Sequence, residues 1–286
     1  MTGFAFALVL AAAFIHATWN FLAKRVGGGP PFLWLFASLS SVFYLPLALF
    51  IVFIQKPVLG MTEFAFMAGS SFIHLLYFLT LQKGYEVGDL SLVYPLARGT
   101  GPTLSTLGAV LILGERPSCL AMLGALLVVV GIFFLASGGK FSIKKGLGQG
   151  LGFGVLTGML IASYTLWDKH AVSGLLIPPL LMDYCSTLGR VLFLSPIAFR
   201  QRKDVFRIWS SHKWEAMGVA LLNPLSYILV LTALIATPVS YIAPLREVSI
   251  LIGAAMGTRF LAEEGAGKRL LASGVMLIGI LALAFG

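Results

Sequence analysis

The stretch from Ser91 to Glu115, SLVYPLARGTGPTLSTLGAVLILGE, returns near the end of the chain from Ser240 to Glu264 as SYIAPLREVSILIGAAMGTRFLAEE. A shift of 149 positions lays Ser91 on Ser240, Pro95 on Pro244, Leu96 on Leu245, Gly108 on Gly257 and Glu115 on Glu264. Each copy reads as an apolar helix interrupted near its middle by proline and charge, Arg98 in the first and Arg246 with Glu247 in the second. Charge inside an apolar segment is costly and marks a functional site by default. Interrupted hydrophobic segments at matching places in two halves of a chain point to a transporter's binding site.

Working outward, the 286 residues are 58% hydrophobic and 11% charged, with a mean hydropathy of +0.95. Soluble domains run at roughly 45–50% apolar and about 25% charged. The composition is that of an integral membrane protein. Apolar runs recur with short polar breaks, and ten spans are expected near 3–23, 31–54, 63–83, 89–113, 118–137, 147–168, 178–199, 214–236, 239–260 and 269–285. They consume nearly the whole chain, so any chemistry must happen within the bilayer.

The net charge of +9 records orientation, with no nucleic-acid partner implied. Fourteen loop lysines and arginines fall on one side of these spans, and only Lys56, Arg116 and Lys169 on the other. By the positive-inside rule both termini lie outside the cytoplasm, in a cytoplasmic (inner) membrane. No basic residue precedes the first apolar run, so it reads as a retained first helix, with no cleaved leader.

The repeat reaches other helices. A shift of 150 carries Phe43, Pro46 and Ala48 of helix 2 to Phe193, Pro196 and Ala198 of helix 7, and the 149 shift carries Gly69 to Gly218 and His74 to Asn223. Helix 1 meets helix 6 more loosely at 145, with Trp19 on Tyr164 and Lys24 on Lys169. The expected fold class is therefore an all-α polytopic membrane protein with ten transmembrane helices in two inverted five-helix repeats. The first is 1–138, a cytoplasmic linker 139–146 carries Lys140, Lys144 and Lys145, and the second is 147–286. Because five is an odd number, the second copy enters the membrane in the opposite sense.

Soluble-enzyme signatures are missing: GLGQGLGFG lacks both the Walker lysine and the GxGxxG spacing, and no HExxH or GxSxG occurs. No enzymatic activity, cofactor or metal is expected. Cys119 and Cys185 lie in apolar helices and read as small hydrophobes. The small-residue stripe Gly150, Gly154, Gly158 and Ala162 reads as a close helix contact.

Polar groups within spans supply the candidate site. His16 and Asn20 share a face of helix 1 with Trp19 beside them; His74 and Tyr77 share one on helix 3; Tyr94, Tyr164, Asn223 and Tyr227 fall on similar faces. Such aromatics can stack on a ligand while offering a polar hydrogen. The shift of 149 sets Arg98 against Glu247 near the midplane, where they can form an ion pair across the pseudo-two-fold axis. That pair reads either as a packing salt bridge, or as a site where Arg98 receives a solute's anionic group and Glu247 an amine or a proton. Substrate binding is thus assigned to Trp19, Asn20, His74, Tyr77, Tyr94, Arg98, Tyr164, Asn223, Tyr227 and Glu247, and coupling or gating to His16, Asp183, Arg190 and Arg246. Asp183 and Arg190 are seven residues apart, about 10.5 Å along a helix, so they share a face without touching. Glu115 and Glu263-Glu264, at helix ends, read as structural partners for the positive end of the next helix.

The tandem repeat, the PLARGTGP…GAVLILGERPS segment, its counterpart PLREVS…FLAEE and the polar HATWNFLAK end of helix 1 together resemble the EamA-type branch of the drug/metabolite transporter superfamily. The resemblance covers the whole chain. It implies a ten-helix inverted-repeat carrier working by alternating access, with helices 1–4 and 6–9 around a central cavity and helices 5 and 10 outside, facing lipid or a second subunit. Substrates in different members are amino acids, amines, other metabolites or drugs. Small multidrug relatives carry a membrane glutamate in the first helix, where this chain has His16 and Asn20.

The expectation is a secondary transporter for a small anionic or zwitterionic metabolite such as an amino acid or organic acid, because three intramembrane arginines face two carboxylates. The alternatives are efflux of drugs or amphiphilic cations by proton antiport, and a non-transporting membrane subunit. The partners are the solute and the lipid bilayer, with the protein a monomer or a homodimer through helices 5 and 10.

Overall fold

Thr2 opens the first helix by accepting the Ala5 amide on its hydroxyl at 3.3 Å, and Gly27 closes it in the left-handed conformation (φ 61°) that a residue without Cβ adopts freely. In the computed structural model, which describes residues 1–27, 29–88, 90–137, 147–252 and 266–286, this is α1 (Gly3–Val26). It is followed by α2 (Gly29–Phe50, continued by one π turn, Ile51–Gln55), α3 (Met61–Val87), α4 (Leu90–Ile112), α5 (Cys119–Ser137) and α6 (Leu147–Ser173). Then come α7 (Pro179–Arg200), α8 (Arg202–Ala236), α9 (Val239–Leu245) and α10 (Ala266–Phe285). Among the described residues all regular structure is helical. The expected linker 139–146 and the counterparts Gly257, Glu263 and Glu264 lie outside the described residues.

Prolines open helices where a missing N–H costs nothing: Pro30 and Pro31 in the first turn of α2, Pro179 at the start of α7. α8 departs from the expected span 214–236. It begins at Arg202 and is kinked at His212 (φ −136°, ψ 34°), because the polar turn holding Arg202, Lys203, Asp204 and Arg207 continues the helix without matching the apolar remainder.

The two copies of the repeated stretch fold differently. α4 runs unbroken through Arg98, against the interruption expected there, whereas α9 stops at Leu245. Arg246 and Glu247 form a turn whose bonds tighten to three-residue spacing, Glu247 N–H to the Pro244 carbonyl at 3.1 Å and Ser249 N–H to the Arg246 carbonyl at 3.2 Å; helix then resumes at 248–252. Proline occupies the sixth helical position in both copies, so it is not what separates them. The break turns two adjacent charges toward different helices, Glu247 toward α4 and Arg246 toward α8.

Packing joins the first five helices to the last five. α1 lies on α8 and α3 on α6; α2 touches α7 and α8, and α3 touches α7; α4 lies against α6, α5 and α9; α5 lies against α10. The small-residue stripe of α6 does what its spacing suggests. A Cβ on Gly154 would stand 2.9 Å from Leu96 Cβ, and one on Gly158 would collide with Thr100, so α4 approaches α6 at backbone distance. Polar side chains fasten other pairs: Trp34 Nε1 donates to Ser195 Oγ (3.0 Å), Tyr184 to the Ser41 carbonyl (3.2 Å), Ser71 to the Cys185 carbonyl (3.0 Å) and Trp167 Nε1 to the Phe66 carbonyl (2.8 Å). Helices 5 and 10, expected on the outside, pack face to face on each other. They meet at Gly124 and Gly279, while Leu123, Leu126, Ile278 and Leu281 are exposed on the other side.

The exposed surface carries many large apolar side chains, Phe14, Phe53, Phe72, Leu111, Leu192 and Phe199 among them. Such a surface belongs in hydrocarbon, where helices satisfy their own backbone. Gly3–Val26, Gly29–Gln55, Met61–Val87, Gly148–Ser173 and Arg202–Ala236 are each long and apolar enough to cross a membrane. The chain is a multi-pass membrane protein.

Candidate functional site

Arg98 stands on α4 and Glu247 in the break after α9, and they meet as an ion pair, Nη2 to Oε2 at 2.8 Å. Their side chains are only 14% and 5% exposed. Arg98 Nη2 also lies 3.4 Å from Ser249 Oγ. Two charges removed from water hold each other strongly, but their desolvation offsets much of that gain unless further hydrogen bonds complete the site. Here the site is left open, for Arg98 Nε is buried without a hydrogen-bond partner.

Beside this pair the rings assemble. His74 on α3 stacks on Tyr164 of α6 with centroids 4.2 Å apart and planes at 25°. Tyr227 of α8 meets His74 edge-on at 5.4 Å, and Tyr77 meets Tyr164 at 5.7 Å. Arg246 lies over the Tyr227 ring at 5.6 Å, within cation–π range. Thus five elements contribute to one polar cluster in the interior.

A buried acid that sequence reasoning placed at the edge of a span stands at the middle of this cluster. Asp168 of α6 is fully buried, accepts the Tyr227 hydroxyl on Oδ2, and faces His74 Nε2 at 4.0 Å; its Oδ1 has no hydrogen-bond partner. It was missed because Asp168-Lys169 resembles a solvated helix end, yet α6 continues to Ser173. The available signal was the four-residue spacing from Tyr164, which puts both on one face. With Asp168 included, Asp168, Asp183 and Glu247 match Arg98, Arg190 and Arg246 in number, and the expected excess of arginine disappears.

Other predicted residues fall around the cluster. His16 and Trp19 of α1 touch each other, centroids 4.9 Å apart, with His16 in electrostatic reach of Arg98 and Arg246. Trp19 Nε1 is buried without a partner. Tyr94 is half-buried one turn before Arg98, and Asn223 half-buried one turn before Tyr227. Asp183 is buried on α7, whereas Arg190 bends back to donate to Thr187 Oγ1 at 3.2 Å and leaves its Nε without a partner. No ion pair joins these two, in keeping with their spacing. Asn20 is not brought in: its side chain is exposed and donates to the His16 carbonyl of its own helix at 2.7 Å.

The buried atoms without partners include donors, at Trp19, Arg98 and Arg190, and an acceptor, at Asp168. A buried polar atom left unpaired costs about 1–3 kcal/mol.

At one end of the molecule the helix termini are pinned. The Glu115 carboxylate accepts the amides of Val239 (2.7 Å) and Ser240 (2.9 Å), and the Ser240 hydroxyl (2.7 Å). Lys169 donates to the Leu234 (2.6 Å) and Thr237 (3.2 Å) carbonyls. The role of Glu115 is structural, as read, but the helix end it meets is the N-terminus of α9 and not that of the next helix, α5.

Residues 3–137 match the model of the EamA-like transporter family. This bears out, over that part of the chain, the resemblance read from the sequence. A solved structure described as "Crystal structure of protein" superposes with a TM-score of 0.77 at 13% identity, over 98% of this chain and 98% of that one. At that identity the likeness speaks to the fold alone. No curated protein matches the chain.

Proposed function

We propose that this chain, whose residues 3–137 carry the EamA-like transporter pattern, is a secondary active carrier working by alternating access. It moves a small zwitterionic or anionic metabolite, such as an amino acid or organic acid, across the cytoplasmic membrane. One observation carries this reading: a buried Arg98–Glu247 pair whose Arg98 Nε has no hydrogen-bond partner, inside a multi-pass membrane protein. The equal numbers of buried acids and arginines favour a solute bearing both charges. Arg98 receives its anionic group, Glu247 its amine, and Tyr77, Tyr94, Tyr164 and Trp19 frame it.

The inverted repeat belongs to the same reading, and several contacts support it. A Cβ on Gly124 would meet Gly279 O (2.7 Å) and Leu283 N (2.9 Å), and one on Gly279 would meet Gly124 O (2.7 Å) and Val128 N (2.9 Å), a reciprocal pattern expected about a two-fold axis. Gly69 packs on Trp167 and Gly218 on Leu22, residues that the shifts of 149 and 145 exchange. The lysine and arginine distribution supports termini outside the cytoplasm.

The test is flux into proteoliposomes from a panel of radiolabelled amino acids, organic acids and amines, with and without a proton gradient. Saturable uptake of an amino or organic acid, abolished by Arg98→Lys and by Glu247→Gln in folded protein, is the expected result; uptake untouched by both substitutions overturns the assignment. The aromatic enclosure of Asp168 favours a second reading, efflux of an amphiphilic cation. It predicts that the acids are indispensable while the arginines are replaceable.

A further inference from the structure

His74 is held so that only one of its nitrogens is free to exchange a proton. Its Nδ1 lies 2.9 Å from the Ser70 carbonyl, which can only accept, and 3.3 Å from the Ser70 hydroxyl, which can also accept; the shorter contact, between two acceptors otherwise, places the hydrogen on Nδ1. The ring's stacking on Tyr164 and its edge contact with Tyr227 fix that orientation. In the neutral ring Nε2 is then a lone pair, and it points at Asp168 Oδ2, another acceptor, 4.0 Å away in a fully buried place. Two acceptors facing each other in low dielectric repel unless a proton lies with one of them.

We infer that Asp168 and His74, with Tyr227 as the positioning residue, form a binding site for one transported proton. The inference rests on the carrier reading above and deepens it by naming the coupling ion and its seat. One proton taken from water at one face of the membrane forms a bond to Asp168 or to His74 Nε2, and the same bond breaks when the proton is released to water at the other face. Nothing is oxidised or reduced. Tyr227 connects this seat to the solute site: its hydroxyl donates to Asp168, its ring lies under Arg246, and Arg246 adjoins the Glu247 that holds Arg98. Loading the proton changes the acceptor strength of Asp168, hence the seat of Tyr227 and of the charged turn beside it.

The charged and titratable groups around the site come from every helix packed on α6. They are His74 and Tyr77 from α3, Arg98 from α4, Asp183 and Arg190 from α7, Tyr227 from α8 and Arg246 from the turn after α9, with the neutral Ser70 hydroxyl beside them. Among them Asp168 has a carboxylate oxygen without a partner, and no arginine or lysine nitrogen lies within 4.0 Å of it among the described residues. Glu247, by contrast, is neutralised by Arg98.

The full chain is labelled with 15N-histidine, reconstituted in liposomes without solute, and followed by solid-state NMR and difference infrared spectroscopy from about pH 5 to pH 9. His74→Gln assigns the resonance. In the unmodified protein, a single proton uptake is expected at His74 Nε2 or in the carboxylic C=O stretch, with Nδ1 protonated throughout. Asp168→Asn moves the His74 midpoint by about 1 pH unit or more, or removes the carboxyl band. Should Asp168→Asn not fold, Tyr227→Phe keeps both titrating groups and moves the midpoint. A titration absent from the unmodified protein, or indifferent to both substitutions, overturns the inference. A titrating pair in a protein that carries none of the panel solutes rejects the carrier reading and leaves the proton site. Flux that ignores a proton gradient and Asp168→Asn rejects the coupling and leaves the carrier.

Discussion

The carboxylate of Glu115, in the turn after α4, caps the N-terminus of α9 by binding both the backbone amide and the hydroxyl of Ser240, at 2.9 and 2.7 Å. Residues 125 positions apart are thereby joined, and the helix that carries the charged break is held at its start by the helix that carries Arg98. A carboxylate at this place satisfies orphan amides and meets the positive end of the helix dipole.

Glu115→Ala is expected to lower unfolding stability by about 1–2 kcal/mol, as loss of a helix cap does. Glu115→Gln, which retains acceptors without charge, should lose less. Thermal unfolding in lipid nanodiscs distinguishes them, and equal effects would remove the charge from the explanation.

Removing one partner of the Arg98–Glu247 pair leaves the other charge buried and is expected to cost about 3–5 kcal/mol. Arg98→Ala and Glu247→Ala should each be strongly destabilised, and their double substitution less than the sum. The exchange Arg98→Glu with Glu247→Arg should recover most of the stability without recovering flux. Recovery of both would reduce the pair to a packing salt bridge.

Gly158 faces Thr100 at backbone distance on α4, whereas nothing lies within 4 Å of a Cβ built on Gly152 of the same helix. Gly158→Ala should therefore destabilise by about 1–3 kcal/mol through overpacking. Gly152→Ala should stabilise slightly, since alanine favours the helix by about 0.5–1 kcal/mol. The opposite order of melting temperatures would contradict the α4–α6 contact.

Gly124 and Gly279 meet each other's backbone at the same distances. Leucine at either site should thus destabilise by similar amounts, and leucine at both by less than twice as much, because one separation of α5 from α10 accommodates both. Markedly unequal single effects, read by unfolding in nanodiscs, would argue against a two-fold relation there.

Much of this was legible beforehand. The helical class and the rough place of most helices follow from apolar run length, a close contact on α6 from glycines at four-residue spacing, and the Arg98–Glu247 pairing from the repeat. Asp168 was not, because a neighbouring lysine gives an acid the look of a solvated end; only the continuation of α6 and the inward turn of its face put that acid beside His74. Nor could sequence distinguish the two copies of the repeated stretch, which share the same proline position.

The amino-acid sequence by itself determined that this protein lives in lipid, is helical, and carries charge where charge is expensive, since composition and periodicity act locally along the chain. Tertiary structure alone decided which buried groups face which. Whether α4 stays whole while α9 breaks, and whether an aspartate meets solvent or a histidine, depends on neighbours that local propensity does not contain.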